Sequence, residues 1–398
     1  MGWTERMRLV RVAVNVEQLL YPSPGGIGRY TARVVTLLSE LFPEDDLRLF
    51  CARHNAAEIA RNVGQCGVPQ SLPVASMPLP RPLLYDAWHH LGRPALRFGE
   101  VGWSPDVVHA PSLAIPPRGP YGMVVTVHDV AVEHFPDAFN RRGRRFHRQG
   151  LEVAARRADL VVTGSRVAAE EIMNHSRIPE DRLRVIPLGV TPPTVGPDEA
   201  VGLRAQLGLS GRPYVLWVGS LEPRKGVTTL VKAMVTLGRQ GGDVPLLVLA
   251  GYPGWRQNGL ISPADRAELG ARLVEVGIVD DPSLQALYQG ATIFAFPSPH
   301  EGFGLPVLEA MANGAPVVCS DLPVLREVSG AQAVLVETGN VEAWADVLLS
   351  LLADDGRRAA LAAAGRVQAS RFPWEATVAA THEAYADVAP GRPAPGGN

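Results

Sequence analysis

Short runs of apolar, β-branched residues alternate with helical patterns along most of the chain, and this alternation limits the folds that the chain can adopt. The run at 8–16, RLVRVAVNV, predicts a first strand. The apolar residues after it repeat at the spacing of a helix: Ile27, Tyr30, Val34, Leu37, Leu38 and Leu41. Four further segments have the composition of strands: DLRLFCA, DVVHA, MVVTVHDV and DLVVTGS. Since strands that alternate with helices are typical of βαβ units, the sequence predicts an α/β fold with parallel sheets.

The alternation stops once and then begins again. The segment at 185–200, VIPLGVTPPTVGPDEA, is rich in proline and glycine and predicts a linker. Beyond it, the strand patterns YVLWVGS, PLLVLAG, IFAFPS and PVVCS alternate with further helical patterns. A length of 398 residues suits two domains. We therefore predict two doubly wound halves, followed by a disordered tail rich in proline and glycine at 389–398.

Charge and cysteine content argue against several classes of protein. The formal net charge is −2, so the chain as a whole has no electrostatic drive toward nucleic acid. Cys51, Cys66 and Cys319 form no Cys-x-x-Cys pair, which favours a reducing cytoplasm. The N-terminus lacks the apolar stretch of a signal peptide, and no run of about 18 apolar residues predicts a transmembrane helix. We expect a cytoplasmic protein.

Two loops in the first half carry unusual residues where a predicted strand ends. In PSPGGIGRY (22–30), Gly25, Gly26 and Gly28 allow close backbone approach at a helix N-terminus, which suits an anion, although a plain glycine turn has the same pattern. In TVHDVAVEHFP (126–136), His128 and Asp129 end an apolar strand. A histidine there can donate to a sugar hydroxyl or carry a proton, and the alternative is a structural hydrogen-bonded pair.

A third loop, WVGSLEPRKGVTTL (217–230), places Arg224 and Lys225 before a predicted helix. Two cations at that position suit a diphosphate, since arginine binds it bidentately and lysine acts as a point charge. The alternative is a solvated surface pair. Only two lysines occur in the chain, Lys225 and Lys232, so a lysine in this loop draws attention to its surroundings.

A fourth loop and helix, EGFGLPVLEAMANG (301–314), has a glutamate near each end of its first half. Pro306 suits the first position of a helix and Gly314 suits the position just after its end. Glu301 then precedes the helix and Glu309 lies one turn into it. Carboxylates only accept hydrogen bonds, and sugar hydroxyls can donate them. One glutamate for a hexose and one for a ribose explains the spacing, whereas exposed acids on a capped helix are the simpler alternative.

These motifs together resemble a known family. PSPHEGFGLPVLEAMANGAPVVCSDLPVLREV is similar to the donor-site signature of the retaining GT-B glycosyltransferases of family 4 (glycosyl transferases group 1), especially mannosyltransferases. GGIGRY, TVHDVAVEHFPDAF, VGSLEPRKG, GIVDDPSLQALYQGATIFAFPS and RFPWEATVAATHEAYADV match further pieces in order, so the resemblance covers about residues 10–388. It implies two Rossmann-like domains that face a central cleft, with a C-terminal helix crossing back to the first.

The resemblance implies domain boundaries. Residues 1–188 would form the acceptor-side domain and 189–373 the nucleotide-sugar domain. The helix at 374–388 would pack on the N-terminal domain, and the tail at 389–398 would follow it.

The resemblance also implies roles for the charged residues. Arg224 and Lys225 would hold the donor diphosphate and stabilise the leaving nucleotide. Glu301 would contact the transferred sugar and Glu309 would bind the ribose. His128 would lie beside the transferred sugar, near its 6-hydroxyl. On this view the catalytic residues are His128, Arg224, Lys225 and Glu301.

Other donor-binding positions would contribute through loop or backbone atoms: Gly25, Gly26, Ser220, Val279, Phe303, Gly304 and Leu305. The backbone of 303–305 would lie near sugar hydroxyls and phosphate, and the backbone of 276–279 near the base. No Asp-x-Asp run predicts a bound divalent ion, so we expect no metal and no prosthetic group. The usual front-face mechanism needs no dedicated nucleophile, and Glu301 is favoured as a hydroxyl acceptor.

Donor and acceptor are less constrained. TVHDVAVEHFPDAF and the ungapped EGFGLP resemble mannosyltransferases and related hexosyltransferases. This resemblance favours GDP-mannose as the donor, with a UDP-hexose as the alternative. The acceptor would be a glycan, a lipid-linked molecule or a small molecule. The basic and aromatic segments RPLLYDAWHHLGRPALRFG (81–99) and RRGRRFHRQGLEVAARR (141–157) could contact a membrane surface at the inner face, a lipid-linked acceptor or a polyanionic glycan. The simpler alternative is a solvated helix face rich in arginine.

Three other kinds of protein share parts of this pattern. A nicotinamide-dependent oxidoreductase needs G-x-G-x-x-G with a downstream acid, which is missing. A nucleotide-sugar 2-epimerase would release UDP without any acceptor. A non-catalytic partner of a transferase would be expected to lack a cation or a glutamate, yet Arg224, Lys225, Glu301 and Glu309 are all present.

Overall fold

The computed structural model describes residues 9–98, 102–240, 244–252 and 259–390. The strands are β1 (Arg11–Asn15), β2 (Asp46–Cys51), β3 (Val74–Ser76), β4 (Val107–Ala110), β5 (Gly122–Thr126), β6 (Leu160–Thr163), β7 (Leu183–Val185), β8 (Tyr214–Val218), β9 (Leu246–Ala250), β10 (Leu273–Gly277), β11 (Ile293–Phe296), β12 (Val317–Ser320) and β13 (Val334–Val336).

The helices alternate with these strands. They are α1 (Gly25–Leu41), α2 (Ala56–Gln65), α3 (Arg81–Leu91), α4 (Ala131–His134), α5 (Arg141–Arg157), α6 (Arg166–His175), α7 (Pro197–Gln206), α8 (Val227–Arg239), α9 (Pro263–Leu269), α10 (Asp281–Gly290), α11 (Leu305–Ala312), α12 (Pro323–Ser329), α13 (Val341–Leu352), α14 (Asp355–Ala369) and α15 (Trp374–Val388).

Two parallel sheets confirm the predicted α/β fold. The first has the strand order β3-β2-β1-β4-β5-β6-β7 and the second has the order β10-β9-β8-β11-β12-β13. All of the paired strands in both sheets run parallel. The order reverses between β1 and β4 in the first sheet and between β8 and β11 in the second. In open α/β sheets, ligands bind beyond the carboxyl ends of the strands at such a reversal.

The chain divides into two compact units. The first contains the described residues up to Val130, then Arg141–Gly189 and the chain from Trp374, and the second contains Ala131–Asn140 and Val190–Pro373. The chain passes from the first unit to the second at 189–190 and returns at 373–374, and the residues at these two passages contact each other within each unit. A Cβ on Gly189 would lie 2.4 Å from the Trp374 Cα atom, and Val190 N–H donates to the Phe372 carbonyl at 2.8 Å.

The sequence predicted the interior strands of both sheets but not the edge strands. The sequence predicted each interior strand, and several of them, such as β5, β9 and β11, are continuous apolar runs that are buried on both faces. It missed β3, β7, β10 and β13, which are the edges of the two sheets. Most residues of these strands are partly exposed, so they lack a continuous apolar run. Edge strands are commonly short and polar, which limits aggregation.

Each unit has its own core. Trp88 and Phe50 are fully buried in the first, and Trp217 and Trp344 are fully buried in the second. Truncating such a side chain to alanine typically costs about 3–5 kcal/mol of stability. No helix among the described residues is both long enough and apolar enough to cross a bilayer. Residues 391–398 of the predicted disordered tail lie outside the described residues.

Candidate functional site

The reversal point of the second sheet collects most of the residues that the sequence singled out. Arg224 and Lys225 follow β8, and Glu301 follows β11, so they come from the two neighbouring strands at the reversal. Helices α8 and α11 begin directly after these loops, and neither N-terminus has a side-chain cap. A helix N-terminus offers N–H groups and a positive partial charge to an anion. This edge of the sheet is therefore suited to an anionic ligand.

Lys225 and Glu301 form an ion pair. Lys225 Nζ donates to Glu301 Oε1 at 2.5 Å, and the two side chains are 15% and 11% exposed. The ammonium also lies 5.9 Å from the centre of the Phe296 ring. The sequence identified these residues from two separate motifs, and the fold joins their side chains.

Backbone packing at Gly226 forces the two loops together. Gly226 has φ of +68°, and a Cβ there would lie 1.9 Å from the Pro297 carbonyl oxygen. Only glycine fits this position without strain. The Ser298 hydroxyl lies 3.1 Å from the Arg224 carbonyl oxygen and 3.0 Å from the His300 carbonyl oxygen, so it can donate to either. Ser298 is fully buried and was not predicted, and the PSP sequence directly after a strand is the signal that would have pointed to it.

Arg224 has a carboxylate partner of its own. Its Nε donates to Glu222 Oε2 at 2.7 Å, with side chains that are 24% and 14% exposed. Glu222 was not predicted as a site residue. The loop after β8 thus holds Arg224 against one acid and Lys225 against another. A diphosphate bound here would meet two oriented cations rather than two freely rotating ones.

The start of α11 depends on Gly304. This residue has φ of +98°, and a Cβ there would lie 2.5 Å from Leu325 Cδ2. The helix begins at Leu305. Pro306 is therefore its second residue, whereas the sequence predicted it to be the first. Phe303 and Leu305 are buried, so their side chains are not available to a ligand.

Glu309 lies one turn into α11 and is half-buried. Its Oε2 accepts a hydrogen bond from the Tyr288 hydroxyl at 3.0 Å. Tyr288 is 1% exposed and belongs to α10, so the carboxylate is held from a neighbouring helix. The Tyr288 hydroxyl therefore orients this carboxylate. The helix ends at Ala312, and Gly314 follows with φ of +77°, as its predicted position after the helix requires.

Ser220 follows β8 and Val279 follows β10, and the ends of both strands are hydrogen-bonded to the end of β9. Ser220 is buried just after β8, and Val279 is partly exposed between β10 and α10. Gly219 N–H donates to the Ala250 carbonyl at 3.0 Å, and Gly251 N–H donates to the Gly277 carbonyl at 2.8 Å. These hydrogen bonds connect the ends of β8, β9 and β10 to one another.

The other predicted residues belong to the first unit. Gly25 is the first residue of α1, and a Cβ added to Gly26 would have no neighbour within 4 Å. Gly28 is tighter, since a Cβ there would lie 2.2 Å from Pro24 Cβ. The Gln18 amide donates to the Pro24 carbonyl at 2.9 Å and holds this turn. The glycine loop follows β1, at the reversal point of the first sheet.

His128 lies two residues beyond β5, which ends at Thr126 and not at Asp129 as predicted. Its Nε2–H donates to the Pro111 carbonyl at 3.0 Å. Burial lowers the pKa of His128, so the ring is neutral near pH 7. Since Nε2 carries the proton, Nδ1 is the nitrogen that can accept a hydrogen bond from a hydroxyl.

Comparison with known proteins gives two family matches. The family described as Glycosyl transferases group 1 matches residues 202–368, and Glycosyltransferase Family 4 matches residues 24–192. O-antigen chain mannosyltransferase B from Escherichia coli is 29% identical over 94% of this chain and 99% of its own length. D-inositol 3-phosphate glycosyltransferase from Xylanimonas cellulosilytica is 36% identical over 62% of this chain and 61% of its own length.

A solved structure matches the fold. HepE from Anabaena, in complex with UDP and glucose, has a TM-score of 0.70 and 18% identity, over 95% of this chain and all of the other. At that identity the likeness supports the fold alone. The two family matches together cover most of each unit.

Proposed function

This chain belongs to the group 1 glycosyltransferases of family 4, with the GT-B fold, and we propose that it transfers a hexose, with mannose favoured, from a nucleoside diphosphate sugar to a glycan, lipid-linked or small-molecule acceptor. The second unit would bind the donor and the first would bind the acceptor. Retention of the anomeric configuration is part of the proposal.

The observation that carries this proposal is the Lys225–Glu301 ion pair at the reversal point of the second sheet. A cation suited to phosphate and a carboxylate suited to sugar hydroxyls lie within one hydrogen bond of each other. The sugar and the diphosphate of a nucleotide sugar are also joined directly. The spacing of the two charges therefore matches the junction at which the glycosidic bond breaks.

The charged residues of the second unit and His128 of the first unit each have a proposed role. Lys225 and Arg224, with the N-termini of α8 and α11, would stabilise the charge that develops on the leaving diphosphate. Glu301 would accept hydrogen bonds from the sugar, and Glu309 would accept them from the ribose. His128 would accept a hydroxyl proton in a hydrogen bond at Nδ1. A front-face reaction with retention needs no enzyme nucleophile, and we assign none.

The donor is the finer part of the proposal. The similarity to the mannosyltransferase from Escherichia coli favours GDP-mannose, and a UDP-hexose stays as the alternative. We favour GDP-mannose because this mannosyltransferase is 29% identical over 94% of the chain. A nucleotide-sugar 2-epimerase and a non-catalytic partner stay as lesser alternatives.

We also propose that the surface of α3 and α5 contacts an anionic membrane at its inner face. Leu83 and Leu91 of α3 are 58% and 74% exposed. Two arginines of α5 lie beside that helix. Arg142 donates to Asp86 at 2.8 Å, and Arg145 contacts His90 at 3.1 Å. Residues 81–98 and 141–157 contain ten arginines and two acids, a net charge of +8, whereas the whole chain carries −2. Exposed leucines beside concentrated arginine suit a lipid surface more than a soluble glycan.

The function is tested by product analysis. The purified protein is incubated with GDP-mannose, UDP-glucose or UDP-N-acetylglucosamine, each with and without a panel of lipid-linked and free glycan acceptors. We expect nucleotide release that depends on the acceptor, and an axial anomer by NMR when the donor is axial. Nucleotide release from a UDP-sugar without any acceptor would favour the epimerase. An inverted product would contradict retention.

A further inference from the structure

A closed circuit of buried hydrogen bonds connects three elements of the first unit with the C-terminal helix. Its side chains come from α1, β4, β5 and α15, and every one of them is buried. They are Tyr30, His109, Thr126, Thr381 and Tyr385. The circuit leaves α15 at Tyr385 and returns to it at Thr381.

The direction of the circuit follows from a backbone carbonyl at one end. The Thr381 hydroxyl donates to the Thr377 carbonyl at 2.7 Å, and a carbonyl can only accept. Thr381 must therefore accept from Tyr30, with which it is hydrogen-bonded. Tyr30 in turn accepts from the Thr126 hydroxyl at 3.2 Å. Each hydroxyl thus gives its one proton to the next oxygen.

The same rule fixes the tautomer of His109. Because Thr126 has already given its proton, it accepts from His109 Nε2–H at 2.8 Å. Burial lowers the pKa of His109 to about 3, so the ring is neutral and has one proton. Its Nδ1 consequently accepts from the Tyr385 hydroxyl at 2.7 Å. Every donor in the circuit has an acceptor, as buried polar groups require.

Tyr30 connects the circuit to His128. The two rings meet edge to face, with centres 5.1 Å apart and planes at 82°. On its other side, His128 donates Nε2–H to the Pro111 carbonyl. The Pro111 carbonyl and the Tyr30 ring therefore both constrain the orientation of the His128 ring. The Tyr30 ring is itself held by hydrogen bonds to Thr126 and Thr381.

We propose that α15 acts through this circuit as a positioning element for His128, with Tyr30, Thr381 and Tyr385 as positioning residues. The proposal rests on the function proposed above, in which His128 Nδ1 accepts a hydrogen bond from a hydroxyl of the substrate. Removing a hydroxyl from the circuit keeps the packing of the rings but releases their orientation. Such a loss weakens the reaction more than it weakens donor binding.

Kinetics of conservative variants provide the first test. We expect Tyr30→Phe, Thr381→Val and Tyr385→Phe to lower kcat by about tenfold or more, with the donor KM changed less than twofold, since small misplacements of a catalytic group have large effects. Two matched controls lose a buried hydroxyl outside the circuit: Thr163→Val and Tyr214→Phe. Thr163 lies in the same sheet, and no partner for its hydroxyl is found among the described residues. Circuit variants that match these controls would overturn the proposal.

Nitrogen-15 NMR of the histidine rings provides a second test that needs no activity. We expect His109 and His128 both to be neutral Nε2–H tautomers, and the His128 ring signals to shift in Tyr30→Phe and Thr381→Val but not in Thr163→Val. A His109 that carries its proton on Nδ1, or unchanged His128 signals in both variants, would overturn the proposal. Failure of the proposed function would appear instead as a protein that binds no nucleotide sugar, so the two failures are distinguishable.

Discussion

Lys225 Nζ and Glu301 Oε1 lie 2.5 Å apart, although the two residues are 76 positions apart in the chain. Strand order brings them together, because β8 and β11 are neighbours in the sheet while β9 and β10 lie on the other side of β8. Glycine at 226 and the hydroxyl of Ser298 then hold one loop against the other. The site therefore depends on packing between loops as much as on its charged residues.

Gly226→Ala should destabilise the second unit and remove donor binding. Its φ of +68° and a Cβ contact of 1.9 Å with the Pro297 carbonyl mean that the loop must move. We expect a loss of about 3 kcal/mol or more in the free energy of unfolding, measured by denaturant titration. Gly208→Ala is the matched control, because Gly208 has φ of +74° with nothing within 4 Å of a Cβ. It should lose only about 1–2 kcal/mol, and equal losses in the two variants would contradict the packing argument.

Glu309→Gln should weaken donor binding while leaving the fold unchanged. The amide keeps one acceptor but loses the charge that strengthens hydrogen bonds from ribose hydroxyls. We expect the donor KM to rise about tenfold, which corresponds to about 1.4 kcal/mol. Glu342→Gln, an exposed acid in the first turn of α13, is the control. A donor KM that stays at the wild-type value in Glu309→Gln would rule out the ribose role.

Stability of the first unit should decrease on mild acidification. Burial lowers the pKa of His109 to about 3 and that of His89 to about 4, below the ordinary value of 6.5. Below pH 6.5 the unfolded chain therefore binds protons that the folded chain does not, so stability is lost as the pH falls. Each histidine contributes on the order of 1 kcal/mol per pH unit. Unfolding curves at pH 7.5, 6 and 5, above the usual range of carboxylates, measure this slope, and a flat profile would contradict it.

Replacing Arg142 and Arg145 together with alanine should weaken binding to anionic vesicles. Each arginine near such a surface contributes about 1 kcal/mol, so the double variant should bind phosphatidylglycerol vesicles about thirtyfold more weakly in a sedimentation assay. The double variant Arg239→Ala with Arg266→Ala is the control, since these arginines are exposed in the second unit. Phosphatidylcholine vesicles, which carry no net charge, should bind none of the three proteins. Binding to a soluble polyanion but not to anionic vesicles would argue against a membrane surface.

Local sequence patterns predicted the interior strands and singled out most of the candidate site residues, because burial and glycine-rich turns leave local signals. They did not predict the edge strand β10, whose residues are largely half-exposed. They also did not predict the pairing of Arg224 with Glu222, since both residues suit a solvated loop equally well. The contact between Tyr385 and His109 joins positions 276 apart and depends on where α15 packs. No periodicity in the sequence contains that information.

Calorimetric titration of the donor tests the central claim most directly. The wild type, Lys225→Ala and Lys232→Ala are titrated with GDP-mannose, UDP-glucose, UDP-N-acetylglucosamine and the free diphosphates, without metal and then with magnesium. Lys232 is the chain's other lysine and is exposed on α8, so it controls for the loss of one positive charge. We expect the wild type and Lys232→Ala to bind one donor selectively, and Lys225→Ala to fold normally but to bind it ten- to a hundredfold more weakly, as the loss of a charge-assisted hydrogen bond predicts, at about 1.5–3 kcal/mol. Equal binding by Lys225→Ala, or no binding of any donor by the wild type, would contradict the account.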